Sequence, residues 1–329
     1  MNEAGIPLLW VVVVTYNASQ WIKPCLESIS SSSVPAGVIV VDNCSTDETV
    51  ALMEEAFPDV HLIINKVNRG FGVANNQGMA YAQARGAAFI ALLNQDARLE
   101  KDCMKNLLLT AENNPDYGVL APMFYAYEGT GLDMFLLEYI YPAYPALASD
   151  MFFGRAREVY EVSLMPAAMW LIRKEALEQV GGFDPLFFMY GEDDDLWRRF
   201  EWHGWKAGLA PAATVYHYYP ESKIYARRKQ EWKAYARYLL LLKSKEESFI
   251  KNYFNCWRRL LVTTFNALVF PDFRNLSVSW QAFLKVTARL GSIRRHRQMN
   301  LIKNGAFLPP PVSGSMHPKS NRVLAISYP

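Results

Sequence analysis

Residues 191–200 read GEDDDLWRRF, so Glu192, Asp193, Asp194 and Asp195 present four adjacent carboxylates. Carboxylates crowded together raise one another's pKa, which suits a group that must take up a proton near neutral pH. A solvated acidic turn would account for the charges alone. It would not account for the run before them, Pro185-Leu-Phe-Phe-Met-Tyr190. An apolar, aromatic strand leading into a carboxylate cluster is more typical of a site wall than of an exposed turn. The spacing predicts a helix over Asp194–Gly204, with acidic residues at its favourable N-terminus.

Such a cluster needs a frame to hold it. Leu8–Thr15 (LLWVVVVT) is short, β-branched and almost wholly apolar, the pattern of a strand buried on both faces. Further strands are predicted at Val38–Asp42, Val60–Asn65, Ala87–Asn94, Tyr117–Met123 and Ala167–Ile172. Helices are predicted between them at Ser19–Ser30, Thr46–Phe57 (capped by Ser45 or Thr46), Gly72–Arg85, Glu100–Asn113 and Arg173–Val180, the last closed by Gly181-Gly182. Alternation of this kind specifies an α/β, doubly wound sheet, in which ligands bind beyond the carboxyl ends of the strands. Those ends carry Thr15-Tyr16-Asn17, Asp42-Asn43, Asn65 to Gly70 and Asn94-Gln95-Asp96. One polar strand end is an ordinary turn. Four in succession mark a site. Residues 124–162, rich in tyrosine, glycine and proline, show little periodicity and read as a mobile loop or lid.

The totals narrow the class. The chain has 329 residues, is 51% hydrophobic and carries four widely spaced cysteines with no CxxC. That composition excludes a disordered protein, and it argues against a disulfide framework or a zinc site. No signal peptide or membrane-spanning run is evident, which fits a cytoplasmic location. The net charge of +2 conceals a division. Residues 1–222 hold 14 Lys and Arg against 28 Asp and Glu, and residues 223–303 hold 18 against 4. We therefore expect an acidic catalytic domain over 1–222, a basic helical extension over 223–305 and a weakly ordered Pro- and Ser-rich tail over 306–329.

The combined series is VVVVTYNASQWIKPCLESI (11–29), VIVVDNCSTDETV (38–50), NRGFGVANNQG (68–78), ALLNQDARL (91–99), GGFDPLFFMYGEDDDLWRRF (181–200) and His217 in VYHYYPES. In this order, over about residues 9–220, it resembles the family 2 inverting glycosyltransferases. Their Rossmann-like mixed sheet flanked by helices is the GT-A nucleotide-diphospho-sugar transferase fold. The rhamnosyltransferase-like and galactofuranosyltransferase-like branch is the most similar.

The resemblance implies roles. Thr15, Tyr16 and Asn17 would touch the nucleotide, and Asp42 would accept the imide N–H of uracil or thymine. Asn68, Arg69, Gly70 and Asn75 would lie along the donor, with the Gly70 and Gly72 backbones approaching it closely and Arg69 meeting a phosphate. Asn94, Gln95 and Asp96 occupy the position of the family's D-x-D metal motif, with Asn94 in place of the first Asp. Asp96 would then be the main acidic ligand of Mn²⁺ or Mg²⁺, and His217 a second ligand. Asp193 would be the general base, with Asp194 the alternative and Glu192 beside it at the acceptor. Trp170 would stack on a sugar or pack in the core.

The implied reaction takes a sugar from a UDP- or dTDP-sugar, dTDP-rhamnose favoured, to a glycan or lipid-linked saccharide. A sugar-nucleotide-binding protein without activity is the alternative, and Asn94 is its one support. In the extension, Trp232, Tyr235, Tyr238, Leu239, Leu242, Phe249, Tyr253, Trp257, Leu260 and Leu261 alternate with Lys and Arg. That pattern suits peripheral contact with an anionic membrane at the inner face of the cell, or packing on protein, including a homo-oligomer partner. Nucleic acid is not an expected partner.

Overall fold

The computed structural model describes residues 8–218, 227–270, 272–303 and 305–309, and the backbone of 322–324. The elements run β1 (Leu9–Thr15), α1 (Ile22–Ser30), β2 (Gly37–Asp42), α2 (Thr49–Ala56), β3 (His61–Ile64), α3 (Phe71–Ala84), β4 (Phe89–Asn94), β5 (Ala97–Leu99), α4 (Cys103–Asn113) and β6 (Tyr117–Ala126). A π-helical stretch at Leu136–Ile140 leads into α5 (Tyr141–Ala143) and α6 (Pro145–Phe152). Then come β7 (Tyr160–Glu161), β8 (Met169–Arg173), α7 (Lys174–Val180), α8 (Glu192–Trp202) and β9 (Lys206–His217). The basic extension forms α9 (Arg227–Lys243), α10 (Phe249–Val269), α11 (Phe273–Ala288) and α12 (Leu290–Asn300), and β10 (Arg322–Leu324) follows.

The strands form one mixed sheet in the order β10-β3-β2-β1-β4-β8-β6-β9-β5, with β7 beside β9. From β10 to β4 the pairing is parallel, and β8 reverses direction against β4. All seven residues of β1 are buried. Covering on both faces is why the strand is a run of valines rather than an alternating pattern. Register sets the site: Thr15 pairs with Asp42, Asp42 with Ile64, and Val14 with Asn94. Four strands therefore end level along one edge.

Three expectations are corrected. The aromatic run before the acidic cluster is a turn, not a strand, because Tyr190 and Gly191 adopt left-handed φ values of 67° and 81°. The helix begins at Glu192 rather than Asp194, so the whole acidic run is its first turn. The segment 124–162 is ordered into the end of β6 and the short helices that follow, and it buries Leu136, Ile140 and Leu147 in the main core.

The tail is also more structured than its composition suggests. Asn76 Nδ2 donates to Phe307 O at 3.0 Å, and Leu308 packs on the main core. β10 pairs with β3 in parallel. The expected boundary at 222/223 and the Pro- and Ser-rich residues 310–321 lie outside the described residues.

The extension has its own core. Tyr238, Leu239, Leu242, Leu260, Phe283 and Val286 are buried together, joined by Phe187 from the catalytic domain. At about 1.5–3 kcal/mol for each large side chain buried, this core holds α9–α12 as a bundle. Much of the apolar row read from the sequence is thus spent inside the protein.

Candidate active site

At the edge of β1 and β2, Asp42 is fully buried. Thr15 Oγ1 and Ser45 Oγ donate to its Oδ1 at 2.8 and 2.6 Å, and the Ser45 N–H donates to Oδ2 at 2.9 Å. As folded, Thr15 and Asp42 are both buried and their mutual hydrogen bond shapes the loop. Ser45, expected as a helix cap, holds that carboxylate instead. Tyr16 and Asn17 are exposed. Asn17 has a φ of 49° and its Oδ1 accepts from the Thr46 N–H at 2.9 Å. Gln95 braces the same loop, accepting from the Tyr16 N–H at 2.8 Å.

An amide network fixes the next loop. Asn43 Nδ2 donates to Asn68 Oδ1 at 2.9 Å and to Gly70 O at 3.2 Å, and the Arg69 N–H donates to Asn43 Oδ1 at 2.9 Å. Asn65 and Gln77 bond reciprocally behind it. Gly70 caps α3 at a φ of 84°, and a Cβ there would lie 2.4 Å from Phe188 O. Gly70 and Gly72 allow close approach of this chain's own Phe188 and Phe183. Asn75 is buried and donates to Phe71 O at 3.1 Å.

Beyond β4, pairing of Ala97 with His217 brings Asp96 Oδ1 to 3.8 Å from His217 Nε2. On the other side of the ring, His217 Nδ1 is 3.4 Å from Oδ2 of buried Asp133. Burial pushes the Asp96 carboxyl above its ordinary value, and His217 partly offsets that. Asn94 Oδ1 is buried without a hydrogen-bond partner. Among the described residues no three His, Cys, Asp or Glu side chains cluster tightly enough to hold a metal. A carboxylate, an imidazole and an orphaned amide oxygen nonetheless fit a divalent ion that takes its remaining ligands from a diphosphate. Asp133 fits the carboxylate that orients a ligating histidine.

The four carboxylates of α8 occupy four environments. Asp195 faces inward, with Arg199 Nε at 3.0 Å, Lys243 Nζ at 2.8 Å and Arg198 Nη2 at 3.3 Å. Glu192 is buried with Oε2 unpartnered, so burial and then Asp193 push its carboxyl well above the ordinary range. Burial also raises Asp193, against backbone N–H groups that include those of Asp194 and Ala167. Asp194 is half-buried and pushed up to about 7 by burial and by Asp193.

One stretch of backbone joins the two clusters. The Asn94 N–H donates to Ala168 O at 2.9 Å, and the backbone of adjoining Ala167 lies near the Asp193 carboxyl, partly offsetting the upward push of its burial. Trp170, next along this strand, is fully buried against Phe183 and Trp197 and belongs to the core. On the other side of the acidic turn, Phe187–Tyr190 line a cavity of about 370 Å³ with Trp232, Tyr235, Lys285 and Arg289.

Sequence reasoning missed Ser45, Asp133, Asp184 and Lys243. Nothing local marks them. Asp133 lies in the aperiodic tyrosine-rich segment, and Lys243 is a single cation closing the run LLLLK. Their roles exist only through contacts distant in sequence.

A mixed sheet whose parallel half ends in a polar rim, faced by an acidic helix start, defines the GT-A class of nucleotide-sugar transferases. The model of glycosyl transferase family 2 matches residues 10–181, and the chain belongs to that family and is a glycosyltransferase. N-acetylglucosaminyl-diphospho-decaprenol L-rhamnosyltransferase of Mycobacterium tuberculosis is 29% identical over 243 residues, covering 64% of this chain and 76% of that protein. Low-salt glycan biosynthesis hexosyltransferase Agl10 of Haloferax volcanii is 25% identical over 194 residues, covering 56% and 59%. The fold is similar to the mannosyltransferase PcManGT of Pyrobaculum calidifontis in complex with GDP-Man and Mn²⁺, with TM-score 0.56, 17% identity and coverage of 92% and 85%. It is also similar to S. aureus TarS in complex with UDP-GlcNAc, with TM-score 0.55, 16% identity and coverage of 89% of each chain.

Proposed function

We propose that this glycosyltransferase moves a sugar from a UDP- or dTDP-sugar, dTDP-rhamnose foremost, to a hydroxyl of a glycan or lipid-linked saccharide by direct displacement with inversion. The observation that supports the reading is that the Ala167-Ala168 backbone bonds Asn94 at one residue and lies near Asp193 at the next, so the acidic turn and the Asn94-Gln95-Asp96 turn share one strand start. The name of the mycobacterial relative, a rhamnosyltransferase acting on a diphospho-decaprenol, supports both the donor and the lipid-linked acceptor.

In this reading Asp193 takes the acceptor's hydroxyl proton as the oxygen attacks the anomeric carbon. The bond from that carbon to the diphosphate breaks, and the nucleoside diphosphate departs with the electron pair. A carboxylate with a raised pKa is a better match to a hydroxyl than an ordinary one. Asp194, at the same helix start, is the second choice of base. Glu192, its carboxyl pushed well above the ordinary range by burial, sits beside them on the acceptor side. Tyr16, Asn17, Asn68 and Arg69 line the donor, with Asp42 acting through the loop it shapes. Asp96 and His217, with Asn94 Oδ1, would hold Mn²⁺ or Mg²⁺, whose charge offsets that of the diphosphate leaving group. An imidazole ligand tilts the choice towards Mn²⁺.

Thermal-shift screening of nucleotide sugars, followed by donor hydrolysis and transfer with and without Mn²⁺, tests the proposal. Turnover of a UDP- or dTDP-sugar that disappears in Asp193→Asn, with nucleotide binding retained, is expected. Binding without turnover of any donor would instead favour an inactive sugar-nucleotide-binding protein, the reading that Asn94 supports.

A further inference from the structure

The face of α10 turned away from the bundle core is apolar. Ile250, Phe254, Leu261, Phe265 and Leu268 recur at intervals of three, four or seven residues, each 60–73% exposed. Helical geometry places residues so spaced on one side. Solvated helices do not ordinarily show such a row, and a contiguous apolar patch marks an interaction surface. Of the row read from the sequence only Leu261 belongs to this face, whereas Tyr238, Leu239, Leu242 and Leu260 are buried in the bundle.

Beside the row lies a second, independent feature. Arg258 and Arg259 line a cavity of about 450 Å³ together with Leu241, Asn255, Val262 and Thr263. Val262 is itself exposed, so apolar row and cavity adjoin. Arg258 and Arg259 share that cavity, and burial, with the charge of neighbouring Arg237, pulls the Arg259 guanidinium below its usual value. Among the described residues none of Arg237, Arg258 and Arg259 has an ion-pair partner, although Lys251 of the same helix pairs with Glu247 just before it. Like charges gathered without carboxylates favour an anion of another molecule.

We propose that α10 is the docking surface for an anionic phospholipid bilayer, its apolar row entering the acyl boundary and Arg237, Arg258 and Arg259 meeting lipid phosphates. An apolar helix face flanked by arginines is the arrangement such an interface selects. A second copy of the chain fits less well, since a two-fold contact through the same patch would bring its arginines towards those of its partner. The proposal rests on the reading above only in that a lipid-linked acceptor gives the enzyme reason to sit at a membrane. Its test needs no turnover, so the two can fail separately.

The test is flotation of the full-length protein with phosphatidylcholine vesicles, with and without phosphatidylglycerol. Binding confined to the anionic vesicles is expected, weakened by salt. Charge-neutralised Arg258→Gln/Arg259→Gln should lose about fivefold in partitioning for each arginine. Phe254→Ser/Phe265→Ser should abolish flotation while both variants keep wild-type thermal melts and nucleotide binding. Either variant that misfolds is replaced by Leu261→Ser/Leu268→Ser, which addresses the same row. Absence of flotation, equal binding to neutral vesicles, or a solution dimer dispersed by the same substitutions would each overturn the proposal.

Discussion

Lys243 Nζ lies 2.8 Å from Asp195 Oδ1, and neither side chain is exposed. Lys243 also pairs with buried Asp184, whose other oxygen is 2.7 Å from His296 Nδ1. The last residue of α9 thus reaches from the basic extension into the first turn of the acidic helix. This ion cluster is what turns the α9–α12 bundle into a buttress for the acidic first turn of α8.

Replacing Lys243 by Met should therefore destabilise the protein by about 3–5 kcal/mol, because two buried carboxylates lose their cation. Urea unfolding measures this, and adding Asp195→Asn should recover part of the loss. Lys243, and then Arg199, hold Asp195 below the ordinary carboxylate range despite its burial, and Lys243 and His296 do the same for Asp184. Their stabilisation is present above the ordinary carboxylate value and is lost as pH falls through the lowered one. The wild-type protein should lose this contribution in acid, and Lys243→Met, which keeps Arg199 and His296, should lose less of it.

Asp193→Asn should lower turnover roughly a hundred- to ten-thousand-fold, the usual worth of a general base. The nucleotide Kd should change little. Asp194→Asn should cost far less. If Asp194→Asn is the dead variant instead, the base is one residue along.

The pH dependence has a definite sign. A carboxyl raised in the folded state, as Asp194 is to about 7, contributes most stability below its ordinary value of 3.8 and loses it as pH climbs through the folded value. Asp194→Asn should therefore melt higher than wild type at pH 8 and no higher at pH 4, which thermal melts can check. Burial raises Asp193 as well, so the ascending limb of the activity profile should lie above the ordinary carboxylate range.

His217→Ala should raise the Mn²⁺ concentration needed for half-maximal donor hydrolysis. Asp133→Asn, which touches only the far side of the imidazole, should weaken Mn²⁺ by about 10- to 100-fold. Titration followed by Mn²⁺ electron paramagnetic resonance reads affinity apart from turnover. Unchanged Mn²⁺ affinity in both variants would remove His217 from the metal site.

Gly70→Ala should cost about 1–3 kcal/mol from its backbone conformation, with more from the clash against Phe188 O. Because the Phe71 N–H donates to Phe188 O at 3.2 Å, the damage should spread to the turn that precedes α8. Hydrogen exchange at both segments is the measurement, and protection should fall in both.

The sequence by itself determined the frame and the names of the candidates. Valine-rich β1 could be nothing but a doubly covered strand, and the polar groups after β1, β2, β3 and β4 had to gather once those strands paired in parallel. The motif series named the family before any contact was known. Only the tertiary structure decided what each side chain faces. It buried Asp42 under Thr15 and Ser45, and set Asp133 behind His217. It gave four adjacent carboxylates four different fates, and it left the apolar row of α10 exposed while burying Tyr238 and Leu239. The reason is physical: strand and helix periodicities are local and survive in the sequence, whereas burial, pairing of charge and the partner of a hydrogen bond depend on residues as far apart as Asp195 and Lys243.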